Sequence, residues 1–409
     1  MNTIWKKKSH QEVKTRIFDA LKNNVNYSEQ NVLGVPASFL DEQVFNQDAS
    51  FVHDAPFIST LINNPNHIGC HTLGKSESFF SGTQEIEREL IDICGVDILQ
   101  GKKGEFDGYV ASGGTEANLQ AIWIYRNLFI RENKADVSEI CVICSEDSHY
   151  SMDKAGDVFM LDVFKVKVDK NDRSINQESI TDTLLEAKKA RKKYFIVIAN
   201  MMTTMFGSVD KVEIYTQTLL ENECEFRLHV DGAFGGFYFP FSQDDDALTF
   251  KNTHVSSFTL DAHKMAQAPY GTGIFLARKG LLEYATTDKA SYVEGEDCTL
   301  IGSRSGANAI AVWMILVANG PFGWKEKIFI LQKRTKWMCD QLRKLNTDFF
   351  HEPGSNIITI RNKHVKAELA RKYGLVPDNH HNPSWYKIVV MEHVIVEKLI
   401  EFLDELKAN

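Results

Sequence analysis

Gly108-Tyr-Val-Ala-Ser-Gly-Gly-Thr-Glu-Ala-Asn118 reads as a strand, a glycine turn and the opening of a helix. Backbone N–H groups at such a helix start favour an anion, and Gly113 and Gly114 permit the close approach of a phosphate. The GxGxxG and GxxxxGKS/T spacings are absent, so neither a dinucleotide nor a Walker phosphate loop is indicated. Outward from this unit, from about residue 108 to 278, short apolar runs alternate with helical segments: 109–111, 117–129, 140–144, 194–199, 228–230, 257–260 and 273–277. Strand runs without polar alternation indicate a sheet covered on both faces, hence a mainly parallel α/β core. A helical segment from Trp324 through Leu345, strands near 356–361 and 386–391, and an amphipathic helix over 394–406 predict a small α+β domain behind it. The expected division is an N-terminal segment over 1–80, a large domain over 81–320 and a small C-terminal domain over 325–409. Apolar spacing also predicts helices over 11–21 and 84–94, the second with Thr83 as its N-cap.

Several strand ends carry residues suited to chemistry. In Ser257-Phe-Thr-Leu-Asp-Ala-His-Lys-Met265, followed by Pro269 and Gly271-Thr-Gly273, a strand runs out into His263 and Lys264 and then a turn. That places an amine at the carboxyl edge of the sheet, where open α/β sheets bind ligands, and makes Lys264 a Schiff-base candidate as well as a solvated charge. Leu228-His-Val230 leads into Asp231-Gly-Ala-Phe-Gly-Gly236. Alone, Asp231 could equally bind a metal or cap a helix. Paired with Lys264, 33 residues on, it suggests a carboxylate on a pyridinium nitrogen with a lysine on the aldehyde, as a pyridoxal phosphate site requires. His149, in Ser145-Glu-Asp-Ser-His-Tyr-Ser-Met-Asp-Lys154, is either structural or a ring that stacks on a flat cofactor. The Ser151-x-x-Lys154 in this run lacks the companion motifs of a serine acylase.

Composition narrows the classes. The 409 residues are 43% apolar and 25% charged, and 46 Lys plus Arg against 55 Asp plus Glu give a net charge of -9. No general field attracts nucleic acid or anionic lipid, so a small-molecule partner is favoured. Seven cysteines without regular spacing are not a secreted disulfide framework, and Cys141 and Cys144 fall in an apolar run that reads as a buried strand rather than a metal site. No metal centre is expected. The N-terminus has no signal-peptide core, and the longest apolar run, 309–318, is 10 residues, short for a bilayer span. A cytoplasmic enzyme is the simplest expectation.

The ordered set GYVASGGTEAN, SxxSHYSxxKAG, TTMxGSxD (203–210), HVDGAFGGFYFPF, LDAHKMxxAP and GSRSG (302–306) resembles the group II pyridoxal-phosphate-dependent amino acid decarboxylases. It looks closest to the archaeal tyrosine/aspartate and bacterial histidine decarboxylase branches, over residues 80–320. The resemblance implies fold type I, the aspartate aminotransferase-like fold, and conversion of an L-amino acid to its amine and CO2. It makes Lys264 the covalent anchor of pyridoxal 5'-phosphate and Asp231 the partner of its ring nitrogen. His149 and Ala233 would lie on the two ring faces, Gly114, Thr115 and His263 on the phosphate, and Thr204 near the cofactor. Tyr292 stands where the family carries the proton donor on a loop, and Arg304 is a candidate for a substrate carboxylate or a phosphate. The family's site lies at a subunit interface, so a homodimer is expected, with the 309–318 segment helping to cover it. Two residues depart from the pattern: Gly232 stands where Ala is usual, and Met202 where a Gly commonly precedes the threonine pair. The substrate is not identified, and aldolase-like or aminotransferase chemistry on the same fold is the alternative.

Overall fold

A computed structural model describes residues 3–25, 50–70, 78–286 and 296–408. Its centre is a seven-stranded sheet in the order Phe106–Ala111, Gly273–Arg278, Val255–Asp261, Glu225–Gly232, Tyr194–Asn200, Ile140–Ser145 and Asp162–Val166. Gly273–Arg278 runs antiparallel to both its neighbours and the other pairs are parallel. The sheet is therefore mainly parallel, as the unalternated runs indicate. The strand over Asp162–Val166 escapes the sequence pattern because it is an edge strand with a half-exposed face.

Alternate residues of the same strands feed two different cores. Tyr109, Val142, Cys144, Ile196, Ile198 and Phe275 pack with the helix Gly114–Glu132 on one face. Val110, Cys141, Ile143, Val197, Val230 and Leu276 pack on the other, with the N-terminal helices and the first limb of Gly306–Lys344. Pleat alternation thus turns uniformly apolar runs into a sheet buried on both sides. Burial pushes the Cys141 thiol up to about 12 and the Cys144 thiol up to about 11, so both behave as core residues.

The N-terminal helix spans His10–Lys22 behind a capping box of Ser9 and Glu12. The next expected helix begins at Ser81, earlier than the sequence suggests, and Thr83 lies inside it. Thr83 is fully buried, its hydroxyl 2.8 Å from His67 Nε2, so it serves a buried network and not a helix cap.

Gly306–Lys344 is a single long helix interrupted at Gly320, whose φ of 66° precedes Pro321. A side chain at Gly320 would meet Lys7 within 2.6 Å, because the N-terminal chain crosses here, with Lys8 donating to the Val317 carbonyl. The helix is long and apolar enough by length and composition to cross a membrane, but 56% of that apolar window is buried inside the molecule. The 309–318 segment contributes Ile310, Val312, Trp313, Leu316 and Val317 to the chain's own core. Those five side chains are taken up by the chain's own fold. Beyond the break, a four-stranded antiparallel sheet packs Ile358, Ile360 and Ile388 against Met338, Leu342, Phe402 and Leu403. This is the expected C-terminal α+β unit.

Candidate active site

The carboxyl ends of the parallel strands converge on a cavity of about 330 Å³. Ladder register sets its floor: Asn200 pairs with Asp231 and Asp231 with Thr259, while Asp261 pairs with Gly273 and Gly273 with Ala111. The cavity is lined by Gly114, Thr115, His149, Thr204, Asp231, Ala233, His263 and Lys264, so eight of the ten residues singled out in the sequence meet in one place. Tyr292 lies outside the described residues. Arg304 is not part of the lining.

The Gly114–Glu132 helix points its N-terminus into the cavity. Two close approaches explain its glycines. A side chain at Gly273 would come within 2.4 Å of the Gly113 carbonyl carbon, and one at Gly114 within 3.0 Å of Ala233 Cβ. The strand edge and the helix start are thereby pressed together at the cavity. Asp261, beneath them, accepts the Gly114 N–H at 3.2 Å and stands 3.3 Å from Lys264 Nζ. Burial pushes its carboxyl above the usual range, against the opposing charges of Lys264 and His263. His263 Nδ1 is 2.9 Å from Asp261 Oδ1 but poorly aligned, and both buried atoms are left without a hydrogen bond.

Asp231 takes an N–H from Ala233 at 3.0 Å on Oδ1 and one from Asn118 at 2.9 Å on Oδ2. These donors hold the carboxylate at the cavity wall. The His149 ring, also on the wall, is fixed by Ser151, whose hydroxyl lies 2.9 Å from Nδ1. Burial lowers the proton affinity of His149, opposed by the charge of Asp231 and reinforced by that of Lys264. The ring therefore presents a neutral aromatic face.

This donor set fits pyridoxal 5'-phosphate. A helix N-terminus with Thr115 and His263 suits a dianionic phosphate, a lysine amine beside them suits the aldehyde, and a doubly supported carboxylate suits a protonated ring nitrogen. The unsatisfied atoms of Asp261 and His263 mark the phosphate end as built for a polar ligand. Met202, which departs from the family pattern, also lines the cavity and holds a φ of 69°. Glycine adopts that conformation without strain, which is why glycine is usual there. Gly232 packs under the Thr259 carbonyl, where a Cβ would sit at 3.0 Å; nothing in the structure explains its departure further.

Arg304 was expected at a substrate or phosphate group and instead closes a buried network. Its guanidinium pairs with Glu87, donates to the carbonyls of Gly69 and Val110, and lies 4.9 Å over the Tyr109 ring. Glu87 in turn contacts His67 Nδ1 at 2.7 Å, and His67 and Arg304 are register partners in the short ladder of Asn66–Ile68 with Ser303–Ser305. The residue ties the N-terminal segment to the large domain. Arg304→Met should destabilise the fold by about 3–5 kcal/mol, because it removes the guanidinium that neutralises the buried Glu87 carboxylate. Urea unfolding measures this, and a change within ~1 kcal/mol of wild type would refute the assignment.

Sequence reasoning missed several supporting groups. Asn118 and His229 stand behind Asp231, and the only signal for His229 was its place two residues before Asp231 on the same strand face. Lys387, from the small domain, reaches the Thr204 carbonyl at 2.8 Å. Desolvation and the nearby Lys264 both lower its pKa, and no carboxylate pairs with it among the described residues. Nothing in the local pattern of its strand marks it.

Residues 85–359 match the conserved domain of pyridoxal-dependent decarboxylases. The chain is 49% identical over 406 residues to a tryptophan decarboxylase of Clostridium sporogenes, covering 99% of this chain and 97% of that protein. It is 34% identical over 340 residues to an L-aspartate/L-glutamate decarboxylase of Pyrococcus horikoshii, covering 80% and 82% of the two chains. Among solved structures, L-methionine decarboxylase from Streptomyces sp. 590 superposes with a TM-score of 0.73 at 19% identity, over 97% of this chain and 93% of the other.

Proposed function

The chain belongs to the pyridoxal-dependent decarboxylase family and decarboxylates an amino acid with pyridoxal 5'-phosphate, and from this premise we propose that its substrate is an aromatic L-amino acid, tryptophan foremost, handled by a homodimer in the cytoplasm. The observation that carries this reading is the near full-length similarity to the tryptophan decarboxylase, at 49% identity against 34% for the aspartate/glutamate enzyme. The cavity agrees with it. Tyr150, Met202 and Phe234 line it, and Lys264 is the one Lys or Arg among the described lining residues. An acidic side chain would need a second cation, and Arg304 is locked on Glu87.

When bound, the cofactor supplies the electron sink that accepts the pair left behind as CO2 departs. The chain supplies the rest. Gly114, Thr115 and His263 would hold the phosphate, and Lys264 would anchor the aldehyde. Asp231 would keep the ring nitrogen protonated, and His149 and Ala233 would pack on the ring. Lys387, outside the lining, supports the cavity wall by donating to the Thr204 carbonyl. Tyr292 is the proposed proton donor to Cα. The dimer accounts for Tyr270, which is 89% exposed although its ring lies 5.2 Å from that of His263. A partner subunit covers that face.

Product analysis of cofactor-loaded protein across the common amino acids tests the reading. Tryptophan should give the amine and CO2 in equal amounts, with kcat/KM about tenfold or more above tyrosine and about a hundredfold or more above aspartate and glutamate. Faster turnover of an acidic amino acid would overturn it.

A further inference from the structure

Behind Asp231 a hydrogen-bonded chain runs from the cavity wall into the core. Asp231 and His229 share one face of their strand, and in the next strand Thr259 and Ser257 are their register partners. The Gly114–Glu132 helix covers this face and lowers Asn118 and Tyr125 onto it. Asn118 Nδ2 is 2.9 Å from Asp231 Oδ2 and 3.1 Å from Ser151 Oγ. Asn118 Oδ1 is 3.0 Å from His229 Nε2, and His229 Nδ1 is 2.6 Å from Ser257 Oγ, which the Tyr125 hydroxyl contacts in turn. Asn118, His229, Ser257 and Tyr125 are at most 1% exposed.

One fact fixes every proton in this chain: an ionised carboxylate only accepts. Asn118 must therefore turn its NH2 to Asp231, which leaves its carbonyl oxygen facing His229 Nε2. That nitrogen must carry the hydrogen, so Nδ1 accepts from the Ser257 hydroxyl, and Ser257 accepts from Tyr125. The second N–H of Asn118 goes to Ser151, whose hydroxyl is then free to donate to His149 Nδ1. All donors run one way and end on Asp231 and His149. Such aligned chains polarise one another in a dry interior. Burial supports this arrangement, holding His229 down to about 4 and thus neutral, with the charge of Asp231 opposing.

We propose that Asn118 is a junction and His229 a positioning residue which together orient the Asp231 carboxylate as an acceptor and lock both His149 and His229 as Nε2–H tautomers. This rests on the assignment of Asp231 to the cofactor's ring nitrogen. It predicts that His229, which lies outside the cavity lining and also stands 3.1 Å from Thr259 Oγ1, influences the chemical step through its hydrogen bond to Asn118.

Nitrogen-15 NMR of histidine-labelled, cofactor-free protein tests it first. Both His149 and His229 should show protonated Nε2 and bare Nδ1; an Nδ1–H form at His229 reverses the chain and overturns the proposal. Variants of the holoenzyme follow. His229→Leu removes the donor to Asn118 and should lower kcat roughly 10- to 100-fold with KM within about twofold, the range seen when an outer-shell partner of a functional group is lost. It should also release His149 into a mixture of tautomers. His229→Gln, which offers an N–H toward Asn118 and an oxygen toward Ser257, should restore both. Unchanged kcat in His229→Leu, or an equal loss in His229→Gln, contradicts the positioning role. If His229→Leu does not fold, the wild-type tautomers and the Gln variant still decide. Correct tautomers combined with full activity in Asp231→Asn would instead refute the ring-nitrogen assignment and leave the hydrogen-bonded chain standing.

Discussion

Asp231→Asn is expected to retain the cofactor and lose turnover by about a thousandfold or more, the upper end of what removing one preorganised electrostatic partner costs. The carboxylate is held by the Ala233 N–H and by Asn118, and it stands at the end of the Glu225–Gly232 strand with its acceptor face toward the cavity. An amide of the same shape keeps the packing but removes the charge that holds the ring nitrogen protonated, and with it most of the drive for electrons to leave the Cα–carboxylate bond. Two further consequences distinguish this from simple damage. Asn118 then faces either an amide oxygen or an NH2, so the hydrogen-bonded chain through His229 weakens without breaking the fold. Cofactor affinity should fall far less than kcat, because the phosphate and aldehyde contacts are untouched. Single-turnover kinetics with titrated cofactor separates the two quantities, and a variant within about tenfold of wild-type kcat would make Asp231 a structural residue.

Lys264→Ala should be more severe, lowering turnover on the order of 10⁴-fold or more, as removal of a covalent nucleophile does. The ammonium is 35% exposed, and its contact with Asp261 is one of several: the Gly114 N–H also binds that carboxylate. Without the lysine, Asp261, whose carboxyl burial already pushes upward, takes a proton more readily, so no stranded charge remains to unfold the chain. The melting temperature should therefore stay within a few degrees while activity disappears. A variant that melts far earlier would mean that Lys264 is held chiefly for structure.

The sequence made legible those parts of this molecule whose signals are local. Six of the seven large-sheet strands contain a short, mostly apolar run, and the turn glycines help mark where several of them end; the Asp162–Val166 edge strand, half exposed, is not picked out by that pattern. Lys264, Asp231, His149 and the Gly114 helix were found because each sits at a strand end or helix start, which composition reveals. Arg304 was misread because its role depends on Glu87, 217 residues away, and nothing near Gly302–Gly306 announces that partner. Thr83 reads as a helix cap for the same reason, since its true partner is His67, 16 residues away. Asn118, His229 and Lys387 acquire meaning only once the helix, the sheet and the small domain are assembled, so single-chain patterning is silent on them.

The claim on which the rest depends is that the cavity at the carboxyl edge of the sheet carries pyridoxal 5'-phosphate on Lys264. Borohydride reduction of the loaded protein, followed by proteolysis and mass mapping of the cofactor adduct, tests it most directly. The account predicts one modified peptide, containing Ala262-His-Lys-Met265, with the added mass on Lys264 and loss of the visible absorption band. An adduct on another lysine, or a protein that binds the cofactor and yields no reduced adduct, would contradict it.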